Sequence, residues 1–318
     1  MESGFPSKNE DKKYLSRISS IEVKPVFVMG FHRSGTTFVY DSVSRCFPFA
    51  NLDLYHIFFY ERLLSNKING NEKRDREWFN QYIRDNDIKD RGLDGFEVCD
   101  SMVEEYCWVM SKGNRVFPVA KTRSWDCERL KQVCQKVLFC SDGAERILLK
   151  NPFDFDNAET LLKYFPDARF IYVKRKPSEI LNSNLHAFVK MSRPHPFFRL
   201  MQTTQPAPVR FIVSCLSKYM YTLSEEQVIS KVTFNVQKAI QKKLAAVKKS
   251  LENIPRDRYV VVDYEEFTRD PAHSLHQVRD MLGIEFSTSP DVIEPKPRKT
   301  RLLEAAQRYA DVVDSCSF

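Results

Sequence analysis

The chain has 318 residues, 42% of them apolar and 29% charged, with a formal net charge of +7 at pH 7. That balance belongs to an ordinary globular protein with a sizeable core and excludes a disordered or fibrous chain. No apolar run approaches the roughly 20 residues of a membrane span, and the first residues carry no signal-peptide core.

A cytoplasmic protein without a membrane partner is therefore expected, with residues 1–20 as a flexible lead-in to a single domain over 21–318. The eight cysteines are scattered without a CxxC pair or zinc-finger spacing, which reads as reduced thiols and no metal site. The positive charge favours an anionic partner without saying which.

In chain order, short apolar runs predict strands at 25–29, 146–150, 169–173 and 259–262. Helical patterns follow the first three at 36–46, 157–164 and 177–191. Strand and helix in alternation predict an α/β chain, a three-layer, P-loop-like fold with a central parallel sheet flanked by helices.

Residues 192–210 contain Pro194, Pro196, Pro206 and Pro208 and read as a loop, a lid over the acceptor site. A long amphipathic helix over 224–253 follows, with Val228, Val232, Val236, Ile240, Leu244 and Val247 on one side and lysines on the other. The lysines read as a solvated face, with no nucleic acid as partner. Residues 51–143 show no motif; with 192–224 they are expected to form insertions around the acceptor site.

The most informative segment is the strand VKPVFVMG followed by FHRSGTT, a GxxxxGTT pattern from Gly30 to Thr37. Two glycines between a strand and a helix let successive N–H groups converge on an oxyanion. A nucleotide kinase would carry lysine at position 36, where this chain has Thr36. The charge instead lies within the loop, at Arg33. Asp263, closing the run YVVVD, resembles a magnesium-binding acid but reads as structural.

GFHRSGTT resembles the 5′-phosphosulfate loop of sulfotransferases that use 3′-phosphoadenosine-5′-phosphosulfate (PAPS), in its arginine form. That form is similar to soluble members that tailor microbial secondary metabolites, saxitoxin-like alkaloids among them. The resemblance extends to ARFIYVKRKPSEILNS, where Arg175 and Ser183 match the family's ligands of the 3′-phosphate. It covers RILLKNPFDF, where Lys150 and Pro152 match the family's turn, and KPRKT, where Arg298 and Lys299 match a basic loop over the same phosphate.

The resemblance implies PAPS as donor, its desulfated form PAP as product, a small-molecule acceptor and no metal, with a homodimer left open. His32, Arg33, Ser34, Gly35, Thr36 and Thr37 would hold the phosphosulfate, with Arg33 and Lys150 stabilising developing charge. Family members often carry a histidine shortly after the lysine; here the nearby titratable residue is Asp154, which ranks first as base, ahead of His56 and Glu61. A P-loop kinase and a non-catalytic nucleotide or nucleic-acid binder stand as the alternatives.

Overall fold

The computed structural model describes residues 5–6, 8–112, 120–296 and 301–316. Five short strands form one parallel sheet: β1 (Pro25–Met29), β2 (Phe49–Asn51), β3 (Arg146–Lys150), β4 (Arg169–Lys174) and β5 (Tyr259–Asp263), in the order β2-β3-β1-β4-β5. The four apolar runs become β1, β3, β4 and β5, and the helices Thr36–Cys46 and Pro177–Met191 keep their expected bounds. β2 has only three residues, too few for periodicity to register, and pairs with β3 at the edge.

Both faces of the sheet are covered. On β1, Phe27 and Met29 enter one core while Val26 and Val28 enter the other; β4 repeats the alternation with Phe170 and Tyr172 against Ile171 and Val173. Helices Cys127–Cys140, Pro177–Met191 and Glu225–Glu252 pack on the first core, and Thr36–Cys46 and Pro271–Leu282 on the second. The chain leaves β1 for β2 and β3 on one side and continues to β4 and β5 on the other. In such a sheet the binding crevice opens at the carboxyl ends of the central strands.

The segment 192–210, expected as a loop, is mostly helical: Pro196–Gln202 is followed by Ala207–Tyr221. Three of its four prolines stand at helix starts, where a missing N–H is tolerated: Pro196 opens one helix, Pro206 caps the next and Pro208 lies in its first turn. Within the stretch expected to be flexible, Asp11–Arg17 forms a 3₁₀ helix. Its Asp11 is buried, pairs with Lys136 at 2.8 Å and accepts the Ser65 backbone N–H at 2.9 Å.

The motif-free region 51–143 is tied together by Arg76, whose guanidinium bridges Asp53 at 3.1 Å and Asp100 at 2.8 Å. Beyond it, the Glu104 N–H donates to the Leu52 carbonyl at 2.9 Å and the Tyr106 N–H to the Lys150 carbonyl at 3.2 Å, which hold Glu105 between them. All eight cysteines are free. Among the described residues no helix is long and apolar enough to cross a membrane.

Candidate active site

β1 ends at Met29 and the next helix starts at Thr36, so residues 30–35 must turn tightly. Gly35 has a φ of +94°, and a Cβ there would stand 2.0 Å from Tyr264 Cε2. Arg33, a non-glycine residue, is also left-handed, at φ 67°. Left-handed residues interspersed in a short loop turn successive amides to one side and make an anion-binding nest. The helix that follows adds its unpartnered first N–H groups and the positive end of its dipole.

This loop forms one wall of a cavity of about 320 Å³, through His32, Arg33, Gly35, Thr36 and Thr37. Arg175 and Ser183 join them from the end of β4 and the helix behind it. Arg33 Nε donates to Ser183 Oγ at 3.4 Å, and Arg175 Nη1 donates to the Arg33 carbonyl at 2.9 Å. Arg175 is held over the Tyr264 ring at 4.7 Å and braced by Glu179 at 2.8 Å, so its planar fork is oriented in advance.

Lys150, at the end of β3, lies just behind the cavity wall. It is buried; its Nζ donates to Thr37 Oγ1 at 3.0 Å and pairs with Glu105 Oε1 at 3.4 Å. Ser34 is turned under the loop, with its buried Oγ lacking a hydrogen-bond partner. Arg298 and Lys299 fall outside the described residues. Lys296, at the head of the same basic segment, lines the cavity with its ammonium 5.3 Å from the centre of the Phe38 ring.

The three residues expected as base do not line this cavity. Asp154 accepts from the Thr122 N–H at 2.8 Å, Thr122 Oγ1 at 2.7 Å, Asn151 Nδ2 at 2.8 Å and Asn157 Nδ2 at 2.7 Å, and also from the Tyr106 hydroxyl. The turn after Lys150 continues into a 3₁₀ helix, Pro152–Asp154, which carries the carboxylate into the interior as a hub for these donors. Burial and the Asp154 charge push the Tyr106 phenol well above its ordinary value.

His56 is equally committed. It forms a capping box with Asp53, whose carboxylate accepts the His56 N–H at 2.8 Å. Glu61 lies in a 3₁₀ turn whose carbonyl accepts the Glu10 N–H at 2.8 Å, against the N-terminal segment. Asp263 is a helix cap, accepting the Glu266 N–H at 3.1 Å.

Three acids do line the cavity, Asp94, Glu97 and Glu105, and of these Glu105 lies beside Lys150. Burial alone would raise its carboxyl, but Lys150, His32 and Arg91 outweigh burial and hold it below the ordinary carboxylate value. Its neighbour Glu104 moves the opposite way: burial, reinforced by the Glu105 charge, outweighs Arg91 at 3.0 Å and raises it. The His32 imidazole is pushed down by burial. Its ring meets Phe153 edge-on at 4.5 Å, and its Nε2 is buried without a hydrogen-bond partner. Glu105 sits in no recognisable motif, and only the fold brings it beside Lys150.

Much of the remaining wall comes from the same motif-free region: Arg91, Leu93, Asp94, Phe96 and Glu97. Asp94 lies 3.7 Å from both Arg33 Nη1 and Arg91 Nη1. Arg33, Arg91, Arg175 and Lys296 therefore face Asp94, Glu97 and Glu105, an excess of positive charge around the loop amides.

Fold and loop together define an α/β protein built to hold an anion at the end of its central strand. The chain belongs to the sulfotransferase family: residues 25–206 match the family model described as "Sulfotransferase family", and residues 152–267 match "Sulfotransferase domain". The sulfotransferase STF1 from Mycobacterium tuberculosis H37Rv has a similar structure, at a TM-score of 0.60 and 16% identity, over 96% of this chain and 79% of that one. The sulfotransferase STF9 from Mycobacterium avium is similar at 0.59 and 16%, with the same two coverages. No curated protein matches the chain in sequence.

Proposed function

We propose that this protein transfers the sulfuryl group of PAPS to a hydroxyl or amine of a small molecule such as a secondary metabolite, in the cytoplasm and without a metal ion. The observation that carries this reading is the convergence of Arg33, Arg175 and Ser183, from two separate segments, on one cavity floored by a glycine-bounded helix terminus. The donor has two anionic ends. The loop amides with Thr36 and Thr37 suit its 5′-phosphosulfate, and Arg175 with Ser183 suits its 3′-phosphate. Arg298 and Lys299 complete the second site in this reading.

In the reaction the bond between sulfur and the bridging oxygen breaks and a bond from sulfur to the acceptor atom forms. The leaving phosphate keeps the electron pair, and Arg33 and Lys150 stabilise that charge. The acceptor's proton goes to Glu105 in place of Asp154. Glu105 is preferred to His32 because its carboxylate is open to the cavity, whereas the His32 Nε2 is closed off.

The acceptor side is built from 51–143 and 192–224 within a single domain that also takes in the segment from Asp11. Support comes from the wall residues Arg91 to Glu97, and from His195, so close to Gly92 that a Cβ there would stand 2.8 Å from it. The kinase alternative is not favoured, since Thr36 replaces its lysine and Asp263 is occupied as a cap.

Calorimetric titration with PAP, ATP and AMP tests the reading. PAP should bind far more tightly than AMP, and Arg175→Ala should abolish that preference. Tighter binding of ATP with magnesium, or no nucleotide binding at all, would overturn it.

A further inference from the structure

The helix Ala207–Tyr221 has no buried residue. At 100° per residue, Pro208, Phe211, Ile212, Cys215, Leu216 and Tyr219 fall on one face roughly 140° wide. All six are exposed, Phe211 at 71% and Ile212 at 60%. A helix of a water-soluble protein normally turns such a stripe inward. Here the half-buried residues, Val209, Val213, Ser214, Ser217 and Met220, lie on the other side.

The charge along this segment has one sign, and the first acids after it are Glu225 and Glu226 in the opening turn of the next helix. From Arg199 to Ser224 the sequence contains no aspartate or glutamate, while Arg210 and Lys218 are exposed on the helix itself. The surface continues onto the helix Glu225–Glu252. Lys231 lies over the Tyr219 ring at 6.0 Å, and Lys238 over the exposed Phe234 ring at 4.3 Å.

From these observations we infer that the helix Ala207–Tyr221 docks on an anionic lipid surface, lying in the interface without spanning it. Aromatic and branched side chains enter the acyl boundary, and Lys218, Lys231 and Lys238 meet the phosphates from the rim, while Arg210, on the opposite side of the helix, adds only longer-range attraction. A second copy of the chain fits less well, because pairing two such helices sets cations against cations with no acid in either segment to neutralise them. The inference departs from the expectation of no membrane partner, which rested on the lack of a spanning run. It is independent of the sulfotransferase chemistry.

Cosedimentation of the whole protein with extruded vesicles tests it. Vesicles with about one-third phosphatidylglycerol in phosphatidylcholine should carry the protein down, and binding should weaken as salt rises. Phe211→Glu with Leu216→Glu should lower the bound-to-free ratio by about tenfold or more, since each change replaces an apolar insertion with a repelled charge. Lys218→Glu with Lys231→Glu should weaken binding to anionic vesicles alone. These positions are exposed, so the variants should keep the parent's thermal midpoint. Failure to bind any vesicle would overturn the inference, as would equal binding to pure phosphatidylcholine. A dimer in light scattering that the Phe211→Glu, Leu216→Glu pair dissociates, with no vesicle binding, would assign the face to a second copy instead.

Discussion

Glu105 and Lys150 form a 3.4 Å ion pair beside the phosphate loop, and Lys150 also reaches Thr37 Oγ1 at 3.0 Å. One cation thus joins the group proposed to take the acceptor's proton to the loop proposed to hold the donor. The lysine is the strongest of the charges that outweigh burial and hold the Glu105 carboxyl below its ordinary value.

Replacing Glu105 with Gln should lower kcat by about 10²- to 10⁴-fold, the usual share of a positioned base, while PAP affinity stays within a few-fold of the parent's. The pH dependence has a definite sign. The carboxyl of folded Glu105 is depressed, so the group remains a base down to below the ordinary 4.5, and the acid limb of kcat/KM should fall below that pH. The stabilisation from the pair is complete above the unfolded carboxyl's titration and is lost as pH falls through the depressed value. An acid limb near neutrality, or a Gln variant with parental turnover, would remove Glu105 from the mechanism.

Gly35→Ala should weaken PAP binding at least about 30-fold, because the added methyl meets Tyr264 in a loop whose φ of +94° already disfavours a side chain. The double variant Gly35→Ala, Tyr264→Ala removes the clash but leaves the backbone strain, so it should recover only part of the affinity. Complete recovery would mean that the glycine is needed for space alone.

The sheet and the loop were legible because each rests on local chemistry. The run PVFVM is apolar at every position, as a strand buried on both faces requires, and GxxxxGTT follows it at once. Arg175 and Ser183 were legible from a matching motif. Glu105 was not, since its place beside Lys150 comes from a region without motifs, where the flanking Glu104 and Tyr106 N–H groups bond the Leu52 and Lys150 carbonyls. Where Asp154 points was not legible either: sequence proximity to Lys150 carried no information on which way the next turn points. The prolines of 192–210 suggested a loop because composition does not distinguish a proline that begins a helix from one that prevents it.

Asp154→Ala should destabilise the protein by about 3–5 kcal/mol, since it leaves several buried donors without their acceptor. Asp154→Asn should be milder, because an amide oxygen retains part of the accepting role. The discriminating measurement is turnover per folded molecule at a temperature where both variants are native. Values near the parent's are expected for a residue that braces the turn under Lys150. A large loss of kcat with an unchanged melting temperature would return Asp154 to the chemistry.

The buried pair of Asp11 and Lys136 makes the N-terminal segment part of the folded unit. Lys136 Nζ donates to Asp11 Oδ2 and to the Tyr60 carbonyl, both at 2.8 Å, and lies 4.1 Å from the centre of the Tyr60 ring. Asp11→Ala strands that ammonium in the core and should cost about 3–5 kcal/mol in urea unfolding, the usual consequence of breaking a buried ion pair from one side. The double variant Asp11→Leu, Lys136→Met removes both charges and should recover most of that loss, because two apolar side chains avoid the desolvation that the pair must overcome. The non-additivity of the cycle is the decisive quantity: if Asp11→Ala unfolds at the parent's urea midpoint, residues 11–17 contribute nothing to stability and the segment is dispensable.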